Sequence, residues 1–256
     1  MERLHHLQHM TYPRVRSLAV RTDLALLPIG PAEAHGPHLP VGTDLIAACE
    51  LCERAAQELA AGGIECLIAP PLSYCLAEVA SAFPGTITVR AEFVADLVAD
   101  ICRSLARSGF RRTLVVSGHA EEKNLAALRA AADQAGEAEA LVKVSRWYGD
   151  ALPGLLHLLE EDHPEYDIHA GEWETALVLL RAPELVDQTA LDALPPNWGT
   201  RSVPEHQVSA ARTFPELGAP QAYYGDPRRA TPMVAENLYA ALGKFIAEES
   251  AFLLQS

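Results

Sequence analysis

The stretch LALLPIG, residues 24–30, is an apolar run closed by a glycine. It is too short for a buried helix and reads as a strand covered on both faces. The succession of elements after it constrains the fold more than any other feature of the chain. A helical stretch runs from Asp44 to about Ala61, and IECLIAPP (64–71) reads as a second strand. AEFVADLVADICRSLARSG (91–109) has apolar residues at helical spacing and ends at a glycine. RRTLVVSGH (111–119) reads as a third strand, a helix runs from about Lys123 to Ala135, and EALVKVS (139–145) reads as a fourth strand. Strands separated by helices cannot pair as tight hairpins, so they must cross over and lie parallel. The expected fold class is therefore α/β, a mostly parallel sheet with helices on both faces. No Gly/Ser-rich linker, repeat or low-complexity tract divides residues 1–256, so one domain is expected. Pro183 to Pro232 is less regular and rich in proline. It is expected to wrap the surface or an oligomer contact before a closing helix from about Val234 to Leu254.

At 256 residues and 49% hydrophobic, the chain can bury a core that needs neither disulfides nor a structural metal. Its net charge of −14 argues against nucleic acid and anionic membrane as partners, because both would repel it. Carboxylates gathered around divalent cations would also contribute to such an excess. MERLHHLQHMTYP at the start has no apolar signal core, and no window reaches the roughly 18 apolar residues that span a bilayer. The five cysteines, Cys49, Cys52, Cys66, Cys75 and Cys102, are odd in number and lie in apolar stretches, which points to a reducing cytoplasm. Cys49 and Cys52 form a CxxC inside the helical pattern LIAACELCERAAQEL, where two core-facing thiols are a better reading than a zinc or redox pair.

In open α/β sheets, ligands gather at the carboxyl ends of the strands. Three polar clusters fall at such ends or at helix starts. GPAEAHGPHLPVGTD (30–44) carries Glu33, His35 and Asp44; SGHAEEKN (117–124) carries His119, Glu121 and Glu122; DIHAGEWETA (167–176) carries His169, Glu172 and Glu174. Mixed imidazole and carboxylate donors suit zinc, manganese or iron. The glycines and prolines of 30–44 set an irregular loop from which Glu33 and His35 can both turn inward. The donors exceed what one tetrahedral zinc needs, which indicates two ions bridged by a carboxylate and a water. Each element alone has a plainer reading. Asp44 could cap its helix, Glu121 and Glu122 could be favourable charges at a helix start, and His38 and His157 could be packed or surface residues. Neither a Gly-x-Ser-x-Gly elbow, a dinucleotide fingerprint nor a P-loop is present.

PAEAHGPHLPVGTD, FPGT (83–86), SGHAEEKN, HAGEWETA and YGDPRRATP (224–232) resemble, in that order, the motifs of the creatininase (creatinine amidohydrolase) family. The resemblance runs from about Leu24 to Met233. That family includes creatinine amidohydrolase, a formamide deformylase and the peptidase that trims the mycofactocin precursor. The resemblance implies a Rossmann-like domain assembled as a homo-oligomer, commonly a hexamer, with one or two divalent ions. It further implies that Glu33, Asp44 and His119 hold one ion, while His35 and Glu121, with Asp44 bridging, hold the second. Glu121 matches the glutamate of the creatinine-hydrolysing members, and Glu174 is an alternative ligand or a base. His169 matches the histidine assigned to proton donation. The segment before FPGT departs from the pattern: in SYCLAEVASAFPGT, Cys75 replaces a glycine and Ala82 a histidine, and Glu78 could face substrate or solvent. Trp147 and Trp173 could wall a flat ring or be ordinary half-buried tryptophans. The implied activity is hydrolysis of a C–N amide bond in a small cyclic amide or related compound, by a hydroxide held between the ions. A deformylase or peptidase on the same scaffold, or a catalytically silent metal-binding assembly subunit, are the alternatives.

Overall fold

The computed structural model describes residues 4–136, 140–199 and 213–255. Residues 137–139 and 200–212 lie outside it, and with them the first residue of the expected strand EALVKVS and part of the proline-rich region. The sheet has five strands in the order β1-β3-β2-β4-β5, and all four pairings are parallel. The strands are β1 (His5–His6), β2 (Leu24–Ile29), β3 (Leu67–Ile68), β4 (Arg112–Ser117) and β5 (Leu141–Val144). The helices are α1 (Tyr12–Leu18), α2 (Thr43–Ala61), α3 (Ala91–Arg107), α4 (Glu122–Gly136), α5 (Leu152–Leu155), α6 (Glu172–Arg181), α7 (Gln188–Ala193) and α8 (Pro232–Leu253).

Side chains alternate across a strand, so a run apolar at every position must be covered on both sides. All six residues of β2 are buried, and they divide between two cores. Leu24 and Leu26, with Leu114 and Val116 of β4, pack against α2, α6 and α8. Ala25, Leu27 and Ile29, with Val115, pack against α3 and α4. β2 and β4 pair over six residues, Leu24 opposite Arg112 through Ile29 opposite Ser117, so their carboxyl ends stand side by side.

The structure differs from the sequence reading at the sheet's edge. IECLIAPP contributes only Leu67–Ile68, since Pro70 and Pro71 have no N–H to extend a ladder. His5–His6 adds an edge strand too short to show any periodicity in the sequence. Among the described residues, the stretch between Pro183 and α8 holds one short helix, α7, and isolated 3₁₀ turns. Cys49 and Cys52 are unpaired, with Cys52 fully buried in α2. No helix among the described residues is long and apolar enough to cross a membrane.

Candidate metal centre

The loop after β2 closes on itself through Glu33 N–H to Val41 O (2.8 Å), and Gly36, at φ 63°, donates to Ala222 O (2.7 Å). This turns Glu33 and His35 inward, and both are fully buried. Asp44 sits inside the first turn of α2 rather than capping it; the cap position is Gly42. Its helix start presses on the ends of both central strands. A Cβ on Gly118 would lie 2.0 Å from Asp44 O, and one on Gly30 would lie 2.5 Å from Asp44 C. Only glycine admits that approach. After β4, Ser117 Oγ donates to His119 O (2.7 Å) and accepts from His119 N–H (3.2 Å), which fixes the turn that presents His119.

Three sets of donor atoms converge here, each within 4.8 Å: Glu33, Asp44 and His119; His35, Asp44 and Glu174; and Glu33, His35 and His169. Asp44 belongs to the first two. His119 Nδ1 lies 2.8 Å from Glu33 Oε2 and 3.6 Å from Asp44 Oδ2. His35 Nε2 lies 3.4 Å from Asp44 Oδ1 and 3.5 Å from Glu174 Oε1. The Glu33 carbonyl can only accept, so His35 Nδ1 donates to it (3.0 Å) and Nε2 is left to face the carboxylates. Two donors about 2.0–2.1 Å from a tetrahedral zinc stand about 3.4 Å apart. Glu33 Oε1 and Oε2, His35 Nε2 and Asp44 Oδ2 have no hydrogen-bond partner although buried. Buried polar atoms are rarely left so, and the donor set fits divalent cations.

The electrostatics agree. Burial raises the Asp44 carboxyl, and Glu33 beside it raises it further, against the pull of His35 and His119. Burial pulls His35 and His119 down, yet the carboxylates outweigh it and hold both well above the ordinary histidine value. A cage this anionic attracts positive charge.

His169 is positioned differently. Its Nε2 donates to Ala34 O (2.9 Å), and its ring stacks on Phe214 at 4.3 Å and lies 4.2 Å from His35. Burial, then His35, pushes it down to about 3, so its imidazole is neutral. Ala170 next to it is left-handed at φ 49°, and its N–H is taken by Glu174 Oε2. That is an uncommon conformation for alanine, of the kind that clusters at functional sites.

Two expectations need correction. Glu121 does not join His35: its Oε2 accepts from Glu78 N–H (2.8 Å) and Val79 N–H (3.3 Å) and stands 3.6 Å from His119 Nε2. Glu174, the alternative to it, is the glutamate that lies by His35, at 3.5 Å. Trp147 and Trp173 do not wall an open pocket; they are 2% and 1% exposed, edge to face at 6.1 Å. Their indole N–H groups hold backbone carbonyls, Trp147 that of Ser117 (2.9 Å) and Trp173 that of Asp167 (3.1 Å), each two residues before a site histidine. Glu78 is half-exposed and paired with Lys123. His38 is buried, bonded through Nε2 to Thr175 Oγ1 (2.8 Å), and His157 is exposed. Phe214 and the left-handed Ala170 had no signal in the sequence.

The creatininase family model, described as creatinine amidohydrolase, matches residues 8–249. The chain belongs to the creatininase family. It is a hydrolase of that family. It is 28% identical over 225 residues to a 3-dehydro-scyllo-inosose hydrolase of Thermotoga maritima, covering 86% of this chain and 68% of that one. It is 27% identical over 230 residues to the mycofactocin precursor peptide peptidase of Mycolicibacterium smegmatis, covering 89% and 84%. The crystal structure of a creatinine amidohydrolase superposes with a TM-score of 0.78 at 23% identity, covering 97% of each chain, which shows the shared fold.

Proposed function

We propose that this creatininase-family hydrolase cleaves a C–N amide bond in a small cyclic amide or related compound, with two divalent ions, zinc or manganese, iron being the third candidate. The observation that carries the reading is the pair of buried donor sets sharing Asp44. Glu33, Asp44 and His119 would hold one ion and His35, Asp44 and Glu174 the other. Ions there supply Lewis acidity, which polarises a carbonyl and acidifies water towards a pKa of about 7. The protein's own groups then move protons. His169 is neutral at rest, so it must collect the proton that it later gives to the leaving nitrogen. With Nε2–H committed to Ala34 O, Nδ1 is the atom that can do so. Phe214, stacked on the ring, keeps bulk water from one face of it. Glu121 holds its carboxylate charge 3.6 Å from His119 and is fixed by the Glu78 and Val79 N–H groups, at the segment that departs from the family pattern.

A retained double donor set with a held imidazole argues against a silent assembly subunit. Association of several copies, a hexamer, rests on the family resemblance. The five unpaired cysteines support a cytoplasmic setting. The deciding experiment assays metal-stripped and metal-loaded protein on creatinine and other cyclic amides, N-formyl compounds and short peptides. Turnover of a cyclic amide that appears only after zinc or manganese is restored is the expected result. Loaded protein that hydrolyses peptides or formamides alone moves the assignment to those substrates, and loaded protein inert on every amide overturns it.

A further inference from the structure

A separate group of buried carboxylates lies at the head of α6, and the proposed amide hydrolysis does not use it. Glu161, Asp167 and Glu172 are 6%, 3% and 0% exposed, and each offers an oxygen within 4.8 Å of the other two. Each is anchored by the main chain. Glu172 accepts from the N–H groups of Glu160 (2.9 and 3.0 Å) and Glu161 (2.9 Å). Asp167 Oδ2 accepts from Trp173 N–H (3.0 Å), and Glu161 Oε2 from Asp226 N–H (2.9 Å). The remaining oxygens, Glu161 Oε1 and Asp167 Oδ1, are buried without a partner. The nearby arginines are engaged elsewhere: Arg228 and Arg229 pair with Asp226 at 3.1 and 3.9 Å, and Arg229 also meets Asp162 at 3.4 Å. Among the described residues no lysine or arginine forms a close ion pair with Glu161, Asp167 or Glu172, although Arg229 acts on Glu172 from further off. Gly171 is what admits the cluster, since a Cβ there would sit 1.9 Å from Asp167 Oδ1.

We propose that Glu161, Asp167 and Glu172 form a further cation site, for a hard divalent ion of the calcium class. Three carboxylates held by backbone donors, with two oxygens left over and aimed at one another's neighbourhood, make a cage that is built before any ion enters. All its donors are oxygen, whereas the sets around Asp44 carry imidazole, so the two sites select different ions. Burial, with Glu172 and Asp226 nearby, pushes Glu161 up to about 7 against the pull of Asp167 and the Asp226 N–H, and burial with Glu161 beside it holds Asp167 well above its ordinary value. An ion there would tie residues 161 and 226 to the start of α6, the helix that carries Glu174.

The test uses the full chain with zinc already loaded at the Asp44 sets. Equilibrium dialysis against labelled calcium should then show about one further ion per chain. Terbium in place of calcium should give emission sensitised by Trp173, whose N–H groups both bond Asp167, and calcium should displace it. Glu161→Gln should weaken terbium binding by at least ~10-fold, since even residues behind a metal ligand are worth that much. Asp44→Asn should leave the terbium signal in place. No calcium retained by the zinc-loaded wild type overturns the proposal without any variant. Terbium emission that survives Glu161→Gln, or that disappears with Asp44→Asn, overturns it as well, by placing the ion elsewhere.

Discussion

His169 is held by Ala34 O on one edge and Phe214 on one face, and burial keeps it neutral. It is placed for proton transfer, not for charge. His169→Asn should therefore lower kcat by roughly 10²–10⁴-fold, the usual worth of a general acid–base, while bound zinc measured by elemental analysis stays unchanged. Loss of zinc in that variant would make His169 a ligand instead. His38 offers a different test. It is buried, its Nδ1 has no partner, and burial pushes it down to about 4. Between the ordinary value and that lowered one, the unfolded chain takes up a proton that the folded protein refuses. Its neutral form thus supports stability above about pH 6.5, and that support is lost as pH falls towards 4, at up to about 1.4 kcal/mol per pH unit. His38→Gln should flatten the dependence by close to one proton, read from urea unfolding across about pH 5 to 7. An unchanged slope would mean that Thr175 and His38 readjust to accept the charge.

At the scale of elements, the two glycines at the ends of β2 and β4 decide where Asp44 goes. Gly118→Ala would place a methyl 2.0 Å from Asp44 O, between backbone segments that have no flexible end to yield. It should cost about 1–3 kcal/mol or more by overpacking, seen as a lower urea midpoint, and it should weaken zinc binding because Asp44 serves both donor sets. Full stability with normal zinc content would show that α2 can shift without opening the site. The central strands and long helices were legible because a doubly covered strand is apolar throughout and α3 is apolar on one face. β1 and β3, at two residues each, carry no period to read. Glu33, His35, Asp44 and His119 were legible at strand exits and helix starts. The choice between Glu121 and Glu174 was not, because both are glutamates near a helix start. The difference between them is tertiary: the backbone of Glu78 and Val79 claims Glu121, while the turn through left-handed Ala170 brings Glu174 to His35. Trp147 and Trp173 were legible as aromatic but not as inward-facing, since indole N–H groups seeking carbonyls leave no mark in the sequence.

At the scale of the molecule, the donors around Asp44 come from four places: the loop after β2, the start of α2, the turn after β4 and the start of α6, and the first and last of these also meet through His38 and Thr175. The cores beneath them, on both faces of the sheet, are complete without any ion. Chelation should therefore loosen the sheet's carboxyl edge without unfolding the protein. Near-ultraviolet dichroism from the buried Trp147–Trp173 pair should persist in the stripped protein, because neither ring depends on a donor atom of the site. Thermal stability should nonetheless fall, since an ion that binds only the folded state at a hundredfold excess over its Kd contributes about 2.7 kcal/mol. Restoring zinc should recover the increment for each donor set that fills. In Asp44→Asn, which breaks both sets at once, added zinc should raise the melting temperature little. Collapse of the dichroism on chelation would mean that the ions hold the core together, and the division between scaffold and site drawn from the two cores would fail.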